Sequence, residues 1–190
     1  GSIVHYDGSG FERMESGTNI PLLDIYGTST NNLWAGGRDY EHYTGSVLLR
    51  NVDAAWKTIS SLDIQTRPTQ ITGPLVSVWS DTNVGLYVLT PEGIFRVSGS
   101  NQTTTLLLPA PGVYWNGFPY RMRGTGINDV FVVGEKSRIW HFNGVSLNEF
   151  AEVLGDESVR FRHIAVSNDI ICVVGTHLST GKAIIVRGYR

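Results

Sequence analysis

Apolar residues along this chain fall in short runs, separated by turns rich in Asn, Asp, Ser, Thr and Gly. Four of the runs are apolar without interruption: Leu33–Ala35, Leu86–Leu89, Val130–Val133 and Ile170–Val174. Runs of this length bounded by turn residues indicate β-strands, and unbroken apolarity indicates a strand that is covered on both faces of its sheet. No segment shows a convincing helical period. The pattern therefore predicts an all-β protein made of many short strands.

Segments of the same kind recur in the same order around each of these runs. Each run is the second of four strands, joined by a hairpin turn to a first strand and followed by a third strand and a more polar fourth strand. The predicted first strands are Leu22–Gly27, Leu75–Trp79, Tyr120–Arg123 and Phe161–Val166. The predicted fourth strands are Phe11–Met14, Ala55–Ile59, Thr103–Leu107 and Leu147–Phe150. The repeating unit is therefore a four-stranded sheet.

The third strands carry a repeated phrase that gives the period of the chain. Ile-Trp-His-Phe-Asn-Gly at 139–144 echoes Ile-Val-His-Tyr-Asp-Gly at 3–8, and weaker copies stand at 47–51, 94–99 and 184–188. The aligned residues His5, Leu49, Arg96, His141 and Val186 are 44, 47, 45 and 45 residues apart. A period of about 40–50 residues with four strands is typical of a β-propeller blade.

We accordingly predict one small β-propeller domain over residues 1–190, with about four four-stranded blades. The repeats lie near 3–46, 47–92, 93–137 and 138–182, and residues 183–190 form a closing strand. Closing the ring with strands from both ends of the chain would remove exposed sheet edges. Because this count leaves one N-terminal strand over, a fifth, partial blade and a ring closed by a partner chain stay open as alternatives. The sequence does not decide the oligomeric state.

Three segments resemble a propeller repeat of bacterial surface and secreted proteins: Trp79–Asp81, Asn128–Gly134 and Ile3–Gly8. In that repeat, a Trp-Gly-Ser turn precedes Asn-Asp-Val-Trp-x-Val-Gly and then Ile-x-His-Tyr-Asp-Gly. The resemblance spans nearly the whole chain. It implies a propeller outside the cytoplasm, in the periplasm, on the cell surface or secreted. It carries no catalytic residue to this chain, because most proteins with the repeat have no assigned activity.

Composition narrows the classes of function. The 15 basic and 17 acidic residues are interspersed and give a net charge of −2, so there is no basic stripe for a nucleic acid. The apolar runs are far shorter than the roughly 20 residues of a transmembrane helix, so no such segment is predicted. The one cysteine, Cys172, lies in an apolar strand, which predicts a buried, inert thiol. Gly1 and Ser2 resemble the remnant of an expression tag, which would fit removal of a leader.

Two loops carry the side chains that could bind a ligand. Propellers bind ligands where loops meet at one end of the axis. The first loop, 36–43, collects Arg38, Asp39, Tyr40, Glu41, His42 and Tyr43. It could bind a carboxylate and stack on a ring, or it could be a solvated loop with packed tyrosines. The second loop, 109–120, contains Trp115, whose ring would form a platform for a sugar or fill the axial end of the ring of blades.

The histidines divide between structural positions and a candidate metal site. His5 and His141 hold the same position in the repeat, which indicates an architectural role in bonding a neighbouring strand. His163, on a first strand, is predicted to be an interior residue. His42 and His177 lie in corresponding loops and could converge on a metal with a loop carboxylate. Spacing alone does not support that site, so the prediction includes no metal and no cofactor.

Motifs for catalysis are missing from the sequence, which has no Gly-x-Ser-x-Gly, no phosphate-binding glycine loop and no His-Glu-x-x-His. The carboxylates that could pair as acid and base are Asp24, Asp39, Glu41, Glu92 and Glu135, and scattered surface carboxylates are the favoured interpretation. The leading hypothesis is a non-enzymatic binding or scaffold module for a glycan or a protein. Its candidate ligand-binding residues are Arg38, Asp39, Tyr40, His42, Tyr43, Trp115 and His177. A small glycoside-processing enzyme and a purely structural repeat module are the alternatives.

Overall fold

The chain folds as β-strands, as the sequence predicts. In the computed structural model, which describes residues 1–39, 45–62, 71, 73–81, 85–98, 103–150 and 154–189, the strands form five antiparallel sheets. Within these residues there is no α-helix, and the single helical turn is a 3₁₀ turn at Val113–Asn116. No helix in the described part of the chain is long and apolar enough to span a membrane. The all-β prediction is confirmed.

The strands follow one another through the sheets in chain order. The first sheet pairs β1 (Ile3–Tyr6) with β2 (Phe11–Met14), and the second contains β3 (Leu22–Ser29), β4 (Asn32–Arg38), β5 (Ser46–Val52) and β6 (Ala55–Leu62). The third contains β7 (Ser77–Asp81), β8 (Gly85–Thr90), β9 (Gly93–Ser98) and β10 (Thr103–Pro109). The fourth contains β11 (Pro119–Gly126), β12 (Asp129–Gly134), β13 (Ile139–Phe142) and β14 (Leu147–Glu149), and the fifth contains β15 (Val159–Val166), β16 (Ile170–His177) and β17 (Ala183–Tyr189).

Three of the five sheets have the predicted four strands, each paired with its neighbour in the chain. The two terminal sheets have fewer strands. The N-terminal strands β1 and β2 pair with each other, with Ile3 opposite Met14 and Tyr6 opposite Phe11. The fifth sheet is left with three strands, ending at β17.

The chain divides into two compact units. The first unit contains Gly1–Thr90 and Phe95–Leu107, and the second contains Pro91–Ile94 and Leu108–Arg190. Each has its own apolar core.

In the first unit, the second sheet is covered on both faces. On one face Ala35, Val47 and Leu49 pack with Ile3 of the N-terminal hairpin. On the other face Leu48 packs in a cluster with side chains that belong to the third sheet and to the segment before it: Leu75, Val78, Leu86, Val88, Phe95 and Val97. Alternate residues of β5 thus face opposite cores, which is why its consecutive residues Val47, Leu48 and Leu49 are all apolar.

A buried carboxylate joins two sheets of the first unit. Asp24 on β3 accepts hydrogen bonds from the hydroxyl of Ser77 and from the backbone N–H of Val78, which lies 3.0 Å from the carboxylate oxygen. Nearby, the N–H of Leu75 donates to the hydroxyl of Ser46 over 2.9 Å. Because the Asp24 carboxylate accepts hydrogen bonds from backbone and hydroxyl donors in the interior, its role is structural.

In the second unit, one face of the fifth sheet forms the core with the fourth. Phe131 and Val133 of β12 pack with Phe161 and Ile164 of β15 and with Val173 of β16. The opposite face of the fifth sheet is exposed.

This exposed face corrects two predictions made from the sequence. Val174 is exposed and Cys172 is half-buried, so β16 is not covered on both faces and its thiol is not fully buried. The strand is nevertheless as apolar in sequence as its counterparts.

Two first strands of the second unit contain the same irregularity. The register between β11 and β12 shifts between Pro119 and Arg121, and the register between β15 and β16 shifts between Phe161 and His163. β3 of the first unit has an equivalent shift. Each shift leaves one extra residue in the first strand, which is a β-bulge. A bulge re-aims the side chain of the extra residue.

A glycine lies opposite each of these two bulges because the bulged backbone comes too close for a side chain. A Cβ placed on Gly134 would lie 3.1 Å from the Cα of Pro119, and one on Gly175 would lie 2.9 Å from the Cα of Phe161. Each would also collide with a backbone carbonyl oxygen, that of Phe118 or Arg160. The glycine that ends the apolar second strand is therefore a requirement of the bulge.

Candidate functional site

The first predicted loop lies only partly within the described residues. Arg38 ends β4 with its side chain buried, at 7% exposure, and its backbone N–H donates to the carbonyl of Pro21 over 3.1 Å. The N–H of Asp39 donates to the carbonyl of Gly45 over 3.0 Å. The remaining residues of this candidate site lie outside the described residues: Tyr40, Glu41, His42 and Tyr43.

Trp115 of the second predicted loop is an interior residue. Its ring is fully buried and meets the ring of Trp140 edge to face, with the centroids 5.3 Å apart. Its φ of +64° is rare for a bulky residue and is held in place by this packing. A buried ring cannot form a platform for a sugar, so the alternative of a packing role is the one that fits.

His177, the last of the predicted residues, pairs with a carboxylate. Its Nε2 lies 2.9 Å from Oδ2 of Asp156, and its Nδ1 lies 3.1 Å from the hydroxyl of Ser179. A hydrogen bond from the N–H of Ser158 and the nearby imidazole lower the pKa of the Asp156 carboxyl. Of the predicted site residues that are described, Arg38 and Asp39 belong to the first unit and Trp115 and His177 to the second.

Two other histidine predictions have different outcomes. His141 bonds a neighbouring strand as predicted, since its Nε2 lies 3.0 Å from Oδ1 of Asp129 and its ring stacks on Phe131 at 4.1 Å. His163 is exposed, so its prediction as an interior residue is wrong. Within the part of the chain that the structure describes, no three His, Cys, Asp or Glu side chains come together as metal ligands.

The side chains that the structure does bring together are those of the two bulges. Tyr120 is the extra residue of β11 and Arg162 is the extra residue of β15. The guanidinium carbon of Arg162 lies 4.4 Å from the centroid of the Tyr120 ring, and that of Arg160 lies 5.8 Å away. Phe118 packs beside the same ring with centroids 5.4 Å apart. Equivalent bulges on neighbouring sheets therefore aim a phenol and a guanidinium at each other.

Glu135, in the turn after β12, organises this cluster. Its Oε1 accepts a hydrogen bond from the Tyr120 hydroxyl at 2.9 Å and lies 3.0 Å from Nη2 of Arg160. Its Oε2 accepts the backbone N–H of Phe118 at 3.3 Å. Burial raises the pKa of the Tyr120 phenol above its usual value of 10.0, and the hydrogen bond to Glu135 raises it further. The phenol therefore stays protonated and donates to the carboxylate at neutral pH.

The two arginines of the cluster differ in their partners. Arg160 is half-buried and paired with Glu135. Arg162 is exposed, and among the described residues it contacts the face of an aromatic ring and no carboxylate. A guanidinium held against a ring keeps its planar fork of donors available for a carboxylate or another oxyanion. The cluster can therefore bind an anionic group at Arg162.

Further contacts connect this cluster to the surroundings of His177. Lys136 and Ser137, both with a φ of 58°, form the tight turn between β12 and β13. The Ser137 N–H donates to the carbonyl of Val159 over 2.9 Å, and its hydroxyl donates to the carbonyl of Asp156. The pair of Asp156 with His177 then continues the chain of contacts. The turn is thus held on the loop that carries Asp156.

Neither Glu135 nor the series of Ser179, His177 and Asp156 is well placed for catalysis. Both oxygens of Glu135 are occupied by donors, which leaves no room for a proton transfer to a substrate without breaking the cluster. Ser179, His177 and Asp156 form a hydrogen-bonded series, but Ser179 is exposed and the Asp156 side chain is 40% exposed. A series in open water lacks the enclosed, preorganised surroundings that activate a nucleophile.

Sequence reasoning singled out Glu135 but missed Tyr120, Arg160 and Arg162 as site residues. Tyr120 and Arg162 lie within predicted first strands, whereas Arg160 lies just before the predicted start of its strand at Phe161. The signal that could have found two of them is the glycine at the end of an apolar second strand, as at Gly134 and Gly175, because it marks the bulge opposite.

A scan against models of protein families finds no match to this chain, and a search of curated proteins finds no significant relative.

Proposed function

We propose that the protein is a non-enzymatic binding module whose second unit holds a glycan that bears a carboxylate. The observation that carries the proposal is the pair of bulge residues, with an exposed Arg162 supported by the ring of Tyr120. Neighbouring aromatic side chains, Phe118 and Tyr120, would offer apolar contact to a sugar ring. A protein ligand with an exposed carboxylate would use the same groups, and the experiment below separates the two.

The preorganisation of the cluster supports binding. Glu135 fixes the phenol of Tyr120 and the guanidinium of Arg160, and Arg162 is laid on the fixed ring. Side chains that are already held lose less conformational entropy when a ligand arrives. The binding alternative is favoured over the glycoside-processing enzyme because Glu135 is fully engaged and because His177 and Asp156 are paired with each other.

The test is binding to an array that contains neutral glycans, glycans with uronic or sialic acids, and acidic peptides. The proposal expects acidic glycans to bind and neutral ones to bind weakly or not at all. Arg162→Gln should weaken binding about 10-fold or more, since a charged hydrogen bond is worth about 1.5–3 kcal/mol. Arg187→Gln is the matched control, because Arg187 also covers a tyrosine ring, that of Tyr189, at 4.7 Å.

Binding of acidic peptides with no acidic glycan bound would replace the ligand class by a protein. Equal binding by the Arg162→Gln and Arg187→Gln variants would overturn the site. Turnover of chromogenic glycosides that is lost in Glu135→Gln would instead favour the enzyme.

We further propose that the sheets are blades of a small propeller of about four blades, located outside the cytoplasm. The period of the repeat and the three four-stranded sheets support the blades, and the resemblance to bacterial surface proteins supports the location. Small-angle X-ray scattering tests the first part, because a ring of blades and an extended row of sheets differ in radius of gyration.

A purely structural module would leave the glycan array blank.

A further inference from the structure

A row of side chains crosses the second sheet from its interior to its surface. Tyr26 of β3 lies opposite Trp34 of β4. Trp34 lies opposite Arg50 of β5, which in turn lies opposite Lys57 of β6. Residues directly opposite each other on neighbouring strands have side chains on the same face of the sheet. Tyr26 and Trp34 pack in the core, whereas Arg50 and Lys57 are exposed, so the row ends in two cations at the surface.

The exposure of these two cations is a property of a complete part of the fold. The second sheet has all four strands, and the third sheet packs on the face that carries the row. Leu48, two residues before Arg50 on β5, is only 1% exposed and packs with Leu75 and Val78. Arg50 and Lys57 therefore lie at the border of a covered face, next to the core rather than in it.

The two cations lack a compensating carboxylate. Like charges directly opposite each other destabilise a sheet, because the Cβ atoms of such a pair are only about 4.5–5.5 Å apart. Asp53, in the turn, is the one acidic residue of the hairpin over residues 46–62. Among the described residues, neither Arg50 nor Lys57 forms an ion pair with it or with any other carboxylate. An anion bound between the two side chains would remove their repulsion.

Arg50 is held in place by the ring beneath it. Its guanidinium carbon lies 5.0 Å from the centroid of the Trp34 ring. The ring is fixed in turn, because its indole N–H donates to Oδ1 of Asn32 over 2.7 Å. Nδ2 of Asn32 donates to the hydroxyls of Thr28 and Ser80, at 2.7 and 3.4 Å, and Ser80 belongs to the third sheet. A guanidinium held on a fixed ring keeps its planar fork of donors available to an oxyanion.

The charge of the pair indicates the class of ligand. The guanidinium of Arg50 can donate two parallel hydrogen bonds to an oxyanion, and the ammonium of Lys57 adds a compact second charge. A carboxylate has one negative charge and would leave one cation uncompensated. A phosphate group attached to a ligand has a charge of about −1.5 to −2 near pH 7 and three acceptor oxygens. A phosphate group therefore matches the pair better than a carboxylate does.

We infer that Arg50 and Lys57 form a binding site for a phosphate group. Arg50 binds two of the phosphate oxygens and Lys57 binds a third, while Trp34 and Asn32 hold Arg50 in position. The two cations belong to the first unit, whereas Arg162 belongs to the second. The inference is therefore independent of the glycan proposed for Arg162.

The first test is an NMR titration of the full chain with inorganic phosphate near pH 7 and at constant ionic strength. The readouts are the indole N–H of Trp34 and the amides of Arg50 and Lys57. Phosphate should shift these signals to saturation and bind at least about 5-fold more tightly than acetate, because it carries the greater charge. Arg50→Gln and Lys57→Gln should each weaken phosphate binding about 10-fold or more, since each removes a charged hydrogen bond.

Two further variants are the controls. Arg13→Gln is matched to Arg50→Gln, because Arg13 is also an exposed arginine on a strand but lies opposite Val4 instead of a second cation. It should leave phosphate binding unchanged. Arg162→Gln should also leave the shifts at Trp34 unchanged, which separates this site from the glycan site. The indole signal of Trp79, which is buried in the same unit, verifies that each variant is folded.

A second titration, with glucose-6-phosphate, separates two sources of the phosphate group. Tighter binding than that of inorganic phosphate would assign the site to a phosphorylated sugar, and equal binding would assign it to the phosphate ion. Two outcomes would overturn the inference. One is that phosphate shifts the signals of Trp34, Arg50 and Lys57 no more than acetate does. The other is that phosphate binds equally well to the unsubstituted protein and to the Arg50→Gln and Lys57→Gln variants.

Discussion

The second and fifth sheets use the same sequence pattern in different surroundings. Leu48 of β5 and Ile185 of β17 hold the same position in the repeated phrase, yet Leu48 is 1% exposed and Ile185 is 71% exposed. The second sheet packs against a neighbour on each face, whereas the fifth packs in its own unit on one face. A sequence pattern thus fixes the strand, and the neighbouring layer fixes how much of it is buried.

The contrast between the two sheets shows which side chains remain available to a ligand. Where both faces of a strand are covered, its side chains are fully used in the core and are unavailable to a ligand. The fifth sheet keeps one apolar face uncovered, and its bulge residue Arg162 is also exposed. Exposed apolar surface next to a fixed cation is a feature of interaction surfaces.

Truncation of the two equivalent residues should change the stability of the protein by very different amounts. Leu48→Ala should destabilise the protein by about 2–5 kcal/mol, because it removes buried apolar contacts and leaves a cavity. Ile185→Ala should change the free energy of unfolding by no more than about 0.5 kcal/mol, because its side chain is in solvent. Urea unfolding followed by tryptophan fluorescence measures both. A loss above about 2 kcal/mol in Ile185→Ala would show that the exposed face of the fifth sheet is covered in solution.

Two glycines of the fifth sheet should differ in how much their substitution by alanine destabilises the protein. Gly175→Ala should destabilise by about 1–3 kcal/mol, because its Cβ would meet the bulged backbone at Arg160 and Phe161. Gly188→Ala is the matched control, since its Cβ would make an ordinary contact of 3.9 Å with Ile171. The control should be neutral or slightly stabilising. Because the bulge aims Arg162, Gly175→Ala should also weaken ligand binding at Arg162 in the array; unchanged stability and binding would contradict the role of the bulge.

Much of the fold can be predicted from the sequence, because strand identity depends on local pattern and turn chemistry. The apolar second strands and the repeated phrase mark their strands within a few residues. The burial of β16 could not be predicted, since it depends on whether another layer covers the sheet. The hairpin of β1 and β2 agrees with the prediction that these segments are the third and fourth strands of one unit.

The site was harder to predict than the fold. The loop richest in functional groups, 36–43, lies partly outside the described residues, and within it Arg38 is buried. Trp115 is a core residue. Its burial could not be predicted, because a buried aromatic and an exposed platform have the same local sequence. Tyr120 and Arg162 meet because two bulges coincide on neighbouring sheets, which is a relation between backbones that no single segment encodes.

A smaller effect is expected from pH at one of two equivalent turns of the repeated phrase. The Asp7 carboxylate accepts the N–H groups of Ser9 and Gly10, at 2.7 and 2.8 Å, and the Asn143 amide oxygen accepts those of Val145 and Ser146, at 3.0 and 2.8 Å. The hydrogen bonds from Gly10 and Ser9 lower the pKa of Asp7 from 3.8 to about 2. Since the folded pKa is the lower one, the contribution of this turn to stability is complete above pH 3.8 and is lost as the pH falls through about 2.

The amide shifts of Ser9 and Gly10 should therefore titrate with a midpoint near pH 2, while those of Val145 and Ser146 stay constant. Asp7→Asn converts the first turn into the chemistry of the second and should abolish the titration without opening the turn, because an amide oxygen accepts the same two N–H groups. A midpoint near pH 3.8 in the unsubstituted protein would mean that, in solution, the N–H groups of Ser9 and Gly10 do not form hydrogen bonds to the Asp7 carboxylate. The two turns would then hold the same position in the repeat but differ in their hydrogen bonds. The repeated phrase would specify the β-strand but not the hairpin turn that follows it.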